Sequence, residues 1–282
     1  MGTPADNSQL KRAEAFKALH DRPGIFVIPN PWDAGSAKML ENLGFEALAT
    51  TSAGLAFSLG KPDGDGSVTR DETLKNAGDI INATRLPVSA DLENGYGDEP
   101  EKCAETILLA AGIGLVGGSI EDSTGNFGNP IYSFELAVER VKAAVEAARS
   151  LSFPFTLTAR AENLIRGRHD LMDTIRRLEA FADAGADVLF APGLKTRDEI
   201  KTVVNAVAPK PVNIVAGLTG DPISINELAD LGVKRVSLGS ALARVAYSAF
   251  MRAGKEMLRE GILNFGSTAM SYSELNALFK AP

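Results

Sequence analysis

Ser89-Ala-Asp-Leu-Glu-Asn-Gly-Tyr-Gly97 continues an apolar run from Pro87-Val88 and leaves it through a turn over residues 94–97. A short buried strand that ends in charged residues is one half of a β-α unit, and the same pattern recurs along the chain. Strand candidates lie at 25–29, 47–52, 87–93, 115–122, 155–162, 188–192, 211–217 and 235–239. They are short and often bounded by Gly or Pro, as buried parallel strands are. Helical patterns lie between them at 34–43, 70–83, 100–111, 133–149, 170–184, 196–207 and 224–231, and another runs from 240 to about 259. Several helices end in Leu-Gly or Ala-Gly (Gly44, Gly112, Gly185, Gly232), which reads as a left-handed glycine cap. Eight such units predict an α/β fold, a TIM (β/α)8 barrel. A doubly wound sheet is the alternative, but no Gly-x-Gly-x-x-Gly follows the first strand, so a dinucleotide site has no support.

The chain of 282 residues is expected to form one barrel domain: an N-terminal helical segment over 1–24, the barrel over 25–259 and a helical tail over 260–282. The N-terminal helix, residues 10–20, would close the barrel bottom. The tail carries Phe265, Met270, Tyr272, Leu275, Leu278 and Phe279 and needs a surface to cover, on a neighbouring subunit or on its own barrel. Apolar residues at 45% and charged residues at 23% are ordinary for a soluble protein. A net charge of −7 gives no basic field for nucleic acid. One cysteine, Cys103, excludes an internal disulfide and a cysteine-rich metal centre. No apolar run spans a membrane and the N-terminus lacks a signal-peptide core, so a cytoplasmic enzyme is expected.

Active sites of such barrels lie at the C-terminal ends of the strands. On a strand, Asp91 and Glu93 would point to one face, and two such carboxylates repel unless a cation sits between them. That reads as a divalent platform, most simply for Mg2+, with Mn2+ as a substitute. An acidic turn in solvent is the other reading. The remaining strand ends add Trp32, Thr51-Ser52-Ala53, Glu121-Asp122, Arg160 with Glu162, and Asn213, and the second loop adds Asp63. Asp91, Glu93, Glu121 and Asp63 are hard metal ligands or hold metal-bound waters. Arg160 suits a substrate carboxylate or phosphonate. Thr51, Ser52 and Ala53 offer donors to an anionic oxygen, and Trp32 would wall the pocket. Against this, Glu121 and Asp122 would cap the next loop, and Arg160 with Glu162 would be a structural ion pair. Cys103 reads as packing, and His20 and His169 as surface residues.

Asn30-Pro-Trp-Asp-Ala-Gly-Ser36, Leu59-Gly-Lys-Pro-Asp63, Ala90-Asp-Leu-Glu-Asn-Gly-Tyr-Gly97, Glu121-Asp122 and Thr158-Ala-Arg160, in this order, resemble the isocitrate lyase/phosphoenolpyruvate mutase superfamily. The resemblance, nearest to the phosphonomutase-like branch, runs from about Phe26 into the tail. It implies a TIM barrel with Mg2+ and a small 2-oxo-acid or enolpyruvate ligand. Asp91 would be the direct metal ligand, with Glu93, Glu121 and Asp63 on its waters. Thr51, Ser52 and Ala53 would take the carboxylate end, Arg160 the ligand's anionic group, and Asn213 the variable end. It also implies dimers or tetramers that exchange a final helix.

The departures are chemical. The loop after Asp122, Ser123-Thr-Gly-Asn-Phe-Gly-Asn-Pro-Ile-Tyr-Ser133, has none of the Lys, Cys or His of the superfamily's lid. Ala191-Pro192-Gly193 stands where the lyases carry Glu. Isocitrate and methylisocitrate cleavage are therefore not expected. The leading expectation is a Mg2+-dependent lyase that cleaves or decarboxylates a small 2-oxo acid such as oxaloacetate through an enolate. The alternatives are a P–C bond enzyme (phosphonomutase, phosphonopyruvate hydrolase or carboxyphosphonoenolpyruvate mutase) and a 2-oxo-acid binding protein without chemistry. The proton donor is open, with water or the Tyr132 hydroxyl as candidates.

Overall fold

The computed structural model describes residues 7–217 and 222–280. Residues 1–6 of the N-terminal segment and 281–282 of the tail lie outside them. Eight parallel strands form the sheet: β1 Phe26–Ile28, β2 Leu48–Ala49, β3 Val88–Asp91, β4 Gly117–Glu121, β5 Thr156–Arg160, β6 Val188–Phe190, β7 Val212–Val215 and β8 Arg235–Ser237. Their order β1-β8-β7-β6-β5-β4-β3-β2 is that of a barrel read around its wall. The seam between β1 and β2 has no regular ladder. Ala49 N–H donates to Pro29 O at 3.1 Å. Asn30 does the rest: its Nδ2 donates to Thr50 O at 2.9 Å, and its Oδ1 accepts from Leu238 N and Gly239 N at 2.8 and 3.0 Å.

The outer layer comprises α2 Ala34–Asn42, α4 Arg70–Ala83, α5 Pro100–Gly112, α6 Phe134–Arg149, α7 Leu171–Asp183, α8 Arg197–Ala206, α9 Ile225–Asp230 and α10 Ala241–Glu260. Several start with a Ser or Thr N-cap answered by Glu three residues on, as at Thr69–Glu72, Thr196–Glu199 and Ser224–Glu227. Glycines 44, 185 and 232 take left-handed conformations after their helices, as expected. Gly112 does not: α5 runs through it, and the left-handed residue is Gly114, where φ is 105°. Among the described residues no helix is long and apolar enough to cross a membrane.

α1, Asn7–Asp21, lies across the N-terminal ends of the strands. Gln9 Nε2 donates to Ala111 O and Leu115 O just before β4. Phe16 packs so closely on Gly117 that a Cβ there would fall 2.8 Å from its ring. Against expectation, His20 is not a surface residue. It sits edge-on between Phe16 and Phe26, with ring centroids 4.8 and 5.0 Å away. Its Nδ1 donates to Phe16 O at 2.9 Å, which leaves the Nε2 lone pair facing Arg235 Nη1 at 3.3 Å.

Burial, and then the Arg235 charge, push the His20 pKa down to about 3; Lys234 adds to this and Asp21 opposes it. Below pH 6.5 the unfolded chain therefore takes up a proton that the fold refuses. Stability falls as pH drops from about 6.5 towards 3, by at most about 1.4 kcal/mol per pH unit from this group. Urea unfolding of wild type and His20→Gln at pH 6.5 and 4.5 should show the smaller acid loss in the variant.

Candidate active site

The ladder registers assemble the site. Glu121 and Arg160 are directly paired across β4 and β5, and Asp91 pairs with Ser119, two residues before Glu121 on the same face of β4. Three strand ends thus deliver two carboxylates and a guanidinium to one point of the rim. Arg160 Nη1 donates to Asp91 Oδ1 at 3.0 Å and Nε to Glu162 Oε1 at 3.0 Å, while Nη2 lies 3.1 Å from Glu121 Oε2 and 2.9 Å from Glu162 Oε1. Arg166, unremarked in the sequence, stands 3.6 Å from Glu121 and 3.9 Å from Glu162. Arg160 with Glu162 is therefore an ion pair, as the structural reading has it, and lies in the same cluster as Asp91 and Glu121.

Asp91 is held from three sides. Its N–H donates to Thr50 Oγ1 at 3.0 Å, and Ser52 donates to its Oδ2 through Oγ at 2.9 Å and N–H at 3.3 Å. Ser52 opens α3, Ser52–Ser58, where the sequence pattern predicts the end of a strand at 47–52 and then a loop. Thr51 caps it, accepting from Gly54 N at 3.2 Å.

The same-face argument for Asp91 and Glu93 does not hold. β3 ends at Asp91, and Glu93 turns into the left-handed region with φ 48°, as does Tyr96 at 62°. A left-handed residue breaks the alternation of a strand. Glu93 still faces the site, its N–H donating to Asp91 Oδ1 at 3.3 Å. The turn is pinned from below by buried Arg140, which donates to the carbonyls of Asn94, Gly97 and Asp98 and stacks 4.2 Å from the Tyr132 ring centroid. Cys103 packs under the same turn, its thiol 3.6 Å from Asn94 O.

Two cavities of about 560 and 400 Å3 meet at Ser52, Asp63, Arg160 and Ile165. The larger reaches Glu93, Glu121 and Arg166 on the β3–β5 side. The smaller descends into the barrel past Thr51, Ala53, Asp91 and Asn213, where Ser89, Ser119 and Ser237 leave the interior open. Trp32 lines neither and packs beside Gly54, where a Cβ would fall 2.9 Å from its own. Tyr132 lines neither: its hydroxyl donates to Asp98 Oδ1 at 2.6 Å and accepts from Asn94 Nδ2 at 3.1 Å, so it is not placed to donate a proton to a ligand. Asp122 turns away to a buried pair with Arg177 at 3.0 Å and accepts from Glu162 N at 2.8 Å. The loop after it closes on itself through a Ser123–Ile131 bridge.

The electrostatics mark surplus negative charge. Burial, then Asp91 and Asp63, raise Glu93 to about 7. Burial and Glu162 hold Glu121 well above the usual carboxylate range, and burial with Asp91 raises Asp63. Burial works against the Arg160 charge, but Glu162, Glu121 and Asp91 outweigh it and hold its proton more firmly. A hard divalent cation would relieve the same repulsion. Among the described residues no three acidic, His or Cys side chains converge as a ligand cage.

Eight parallel strands whose ends bring this carboxylate–arginine centre to one rim have the architecture of a TIM barrel. The profile of the phosphoenolpyruvate phosphomutase family matches residues 16–258, and the chain belongs to that family within the isocitrate lyase/phosphoenolpyruvate mutase superfamily. A crystal structure from Burkholderia cenocepacia J2315, described only as a lyase/mutase, is 58% identical with a TM-score of 0.95 and 98% of each chain covered. The 2-methylisocitrate lyase of Halalkalibacterium halodurans is 27% identical over 97% of this chain and 94% of its own. Oxaloacetate acetylhydrolase, solved with its product oxalate, is 26% identical with a TM-score of 0.85 over 96% and 93% of the two chains. The superfamily includes lyases and mutases, and its members typically use a divalent metal.

Proposed function

We propose that the protein is a Mg2+-dependent lyase that cleaves or decarboxylates a small 2-oxo acid through an enolate, with oxaloacetate the first substrate to test. The observation that carries this reading is the meeting of Arg160, Asp91 and Glu121 at the junction of two cavities. Asp91 would hold the cation, with Glu93, Glu121 and Asp63 on its waters; once bound, the cation polarises the 2-oxo acid's carbonyl. Ser52 fixes the Asp91 carboxylate. Arg160 holds the leaving or remaining carboxylate, a preorganised donor of the kind worth about 3–4 kcal/mol in a transition state. Thr51, Ala53 and Asn213 line the space for the rest of the ligand.

Pyruvate release from oxaloacetate should exceed the Mg2+-only rate, and Asp91→Ala should lower it by at least about a hundredfold. Release at the metal-only rate would rule out oxaloacetate decarboxylation. Phosphonopyruvate followed by phosphorus NMR reads the P–C alternative, against which the lysine-free loop 123–133 counts.

The tail bears on assembly. α11, Tyr272–Phe279, touches its own α2, with Asn42 Nδ2 3.3 Å from Leu278 O. Yet Phe250, Leu258, Leu263 and Tyr272 are exposed. Exposed large apolar side chains grouped in this way are what contact with another copy would cover. We propose a homodimer or homotetramer that covers it, with exchange of α11 as one arrangement. Light scattering after size exclusion should give two or four times 29.7 kDa, and a mass of 29.7 kDa would overturn the assembly.

A further inference from the structure

Arg235 is the first residue of β8, only 6% exposed, and it points into the barrel. Its Nε donates to Asn213 Oδ1 at 2.8 Å, Nη2 to Thr158 Oγ1 at 2.9 Å, and Nη1 faces His20 Nε2 at 3.3 Å. All three acceptors are neutral. Among the described residues no carboxylate pairs with it, and burial alone lowers its pKa, to about 9. The other buried arginines are spent differently. Arg160 and Arg177 have carboxylates, and Arg140 has three carbonyls and an aromatic face.

A guanidinium has five N–H donors, so two remain beyond these three contacts. Arg235 borders the smaller cavity together with Asn213, Ser237 and Asp91. A buried cation without a counter-charge is costly, by more than neutral hydrogen bonds return. Such costs persist where function needs them. The smaller cavity, which Arg235 borders, gives a counter-charge a way in.

We propose that Arg235 is an anion-binding residue at the floor of the site: an anionic group of the ligand that descends the smaller cavity is neutralised by this guanidinium, directly or through one bridging water. This rests on the reading of the site as one for 2-oxo acids, and it narrows the ligand to small dianions over monoanions. It also gives Asn213 a defined place. Its amide is oriented by Arg235 on one side and donates to Ser237 Oγ at 2.9 Å on the other, so it positions the floor as well as lining it.

The test compares Arg235→Met and Arg235→Lys with the parent, using calorimetric titration of Mg2+ with oxalate, a dianion, and with pyruvate, a monoanion. Ligand-free thermal unfolding is measured alongside. Arg235→Met should weaken oxalate binding by at least about tenfold and pyruvate binding by less, so that the oxalate-to-pyruvate preference shrinks. It should melt no lower than the parent, because it removes an uncompensated buried charge. Arg235→Lys keeps the charge and should stay within about threefold of the parent for oxalate. Unchanged oxalate affinity in the Met variant, or equal weakening of both anions, overturns the inference and leaves Arg235 a structural cation. If the Met variant does not fold, an Arg235→Lys loss above about tenfold overturns it and retention within threefold supports it. Asp91→Ala separates the two readings: if it abolishes oxalate binding while Arg235→Met does not, the floor fails and the metal site stands. A parent that does not bind oxalate with Mg2+ fails the functional reading itself.

Discussion

Arg160→Met should destabilise the fold by about 3–5 kcal/mol, the cost of removing one partner from a buried charge cluster. Methionine replaces most of the volume, so a packing defect is a minor part of the loss. What matters is that Asp91, Glu121 and Glu162 each lose a guanidinium contact of 2.9–3.1 Å while still buried or nearly so. The same change should abolish measurable Mg2+-oxalate binding, since the ligand loses the guanidinium that would hold its carboxylate and meets the uncompensated charge of Asp91, Glu121 and Glu162 instead. Urea unfolding and calorimetry read the two effects. A stability loss below about 1 kcal/mol would place the cluster among ordinary surface ion pairs and contradict this account.

Asp122→Asn should cost about 3 kcal/mol while leaving oxalate affinity within about threefold. The amide oxygen can still accept from Glu162 N–H, but the charge opposite Arg177 is gone. Arg177 retains Asp173 at 2.9 Å and the Tyr132 carbonyl at 3.1 Å, which keeps the loss at the lower end. The contrast with Arg160 is the point. Glu121 and Asp122 are sequence neighbours, yet one faces the cavity and the other ties β4 to α7 behind it. An Asp122→Asn variant of normal stability, or one that has lost oxalate binding, would break this division of labour.

The barrel was legible because its units repeat: each strand is a short apolar run and each helix has a periodic face. Asp91, Glu121 and Arg160 were legible because parallel register carries strand ends to one rim. What escaped had no period to read. α3 is short and rich in Ser, Ala and Gly, so it looks like the loop of a strand that in fact stops at Ala49. The strand pattern puts Glu93 on one face with Asp91, but β3 stops at Asp91 and Glu93 takes a left-handed conformation. His20 and Arg235 meet 215 positions apart, a pairing that only the closed barrel creates. Arg166 follows Glu162 by one helical turn, a spacing that could have flagged it.

The β1–β2 seam has a consequence for how the molecule opens. Proteins unfold piecewise, and the cheapest subglobal opening lies where the fewest backbone bonds must break. Here one backbone bond and one asparagine side chain do the work of a strand ladder. Breathing of the barrel should begin at Asn30, releasing β2 and with it Thr51 and Ser52. The same residue that closes the cylinder thus sets the threshold for loosening the floor on which Asp91 is fixed. Ligand exchange and partial unfolding would then share one latch.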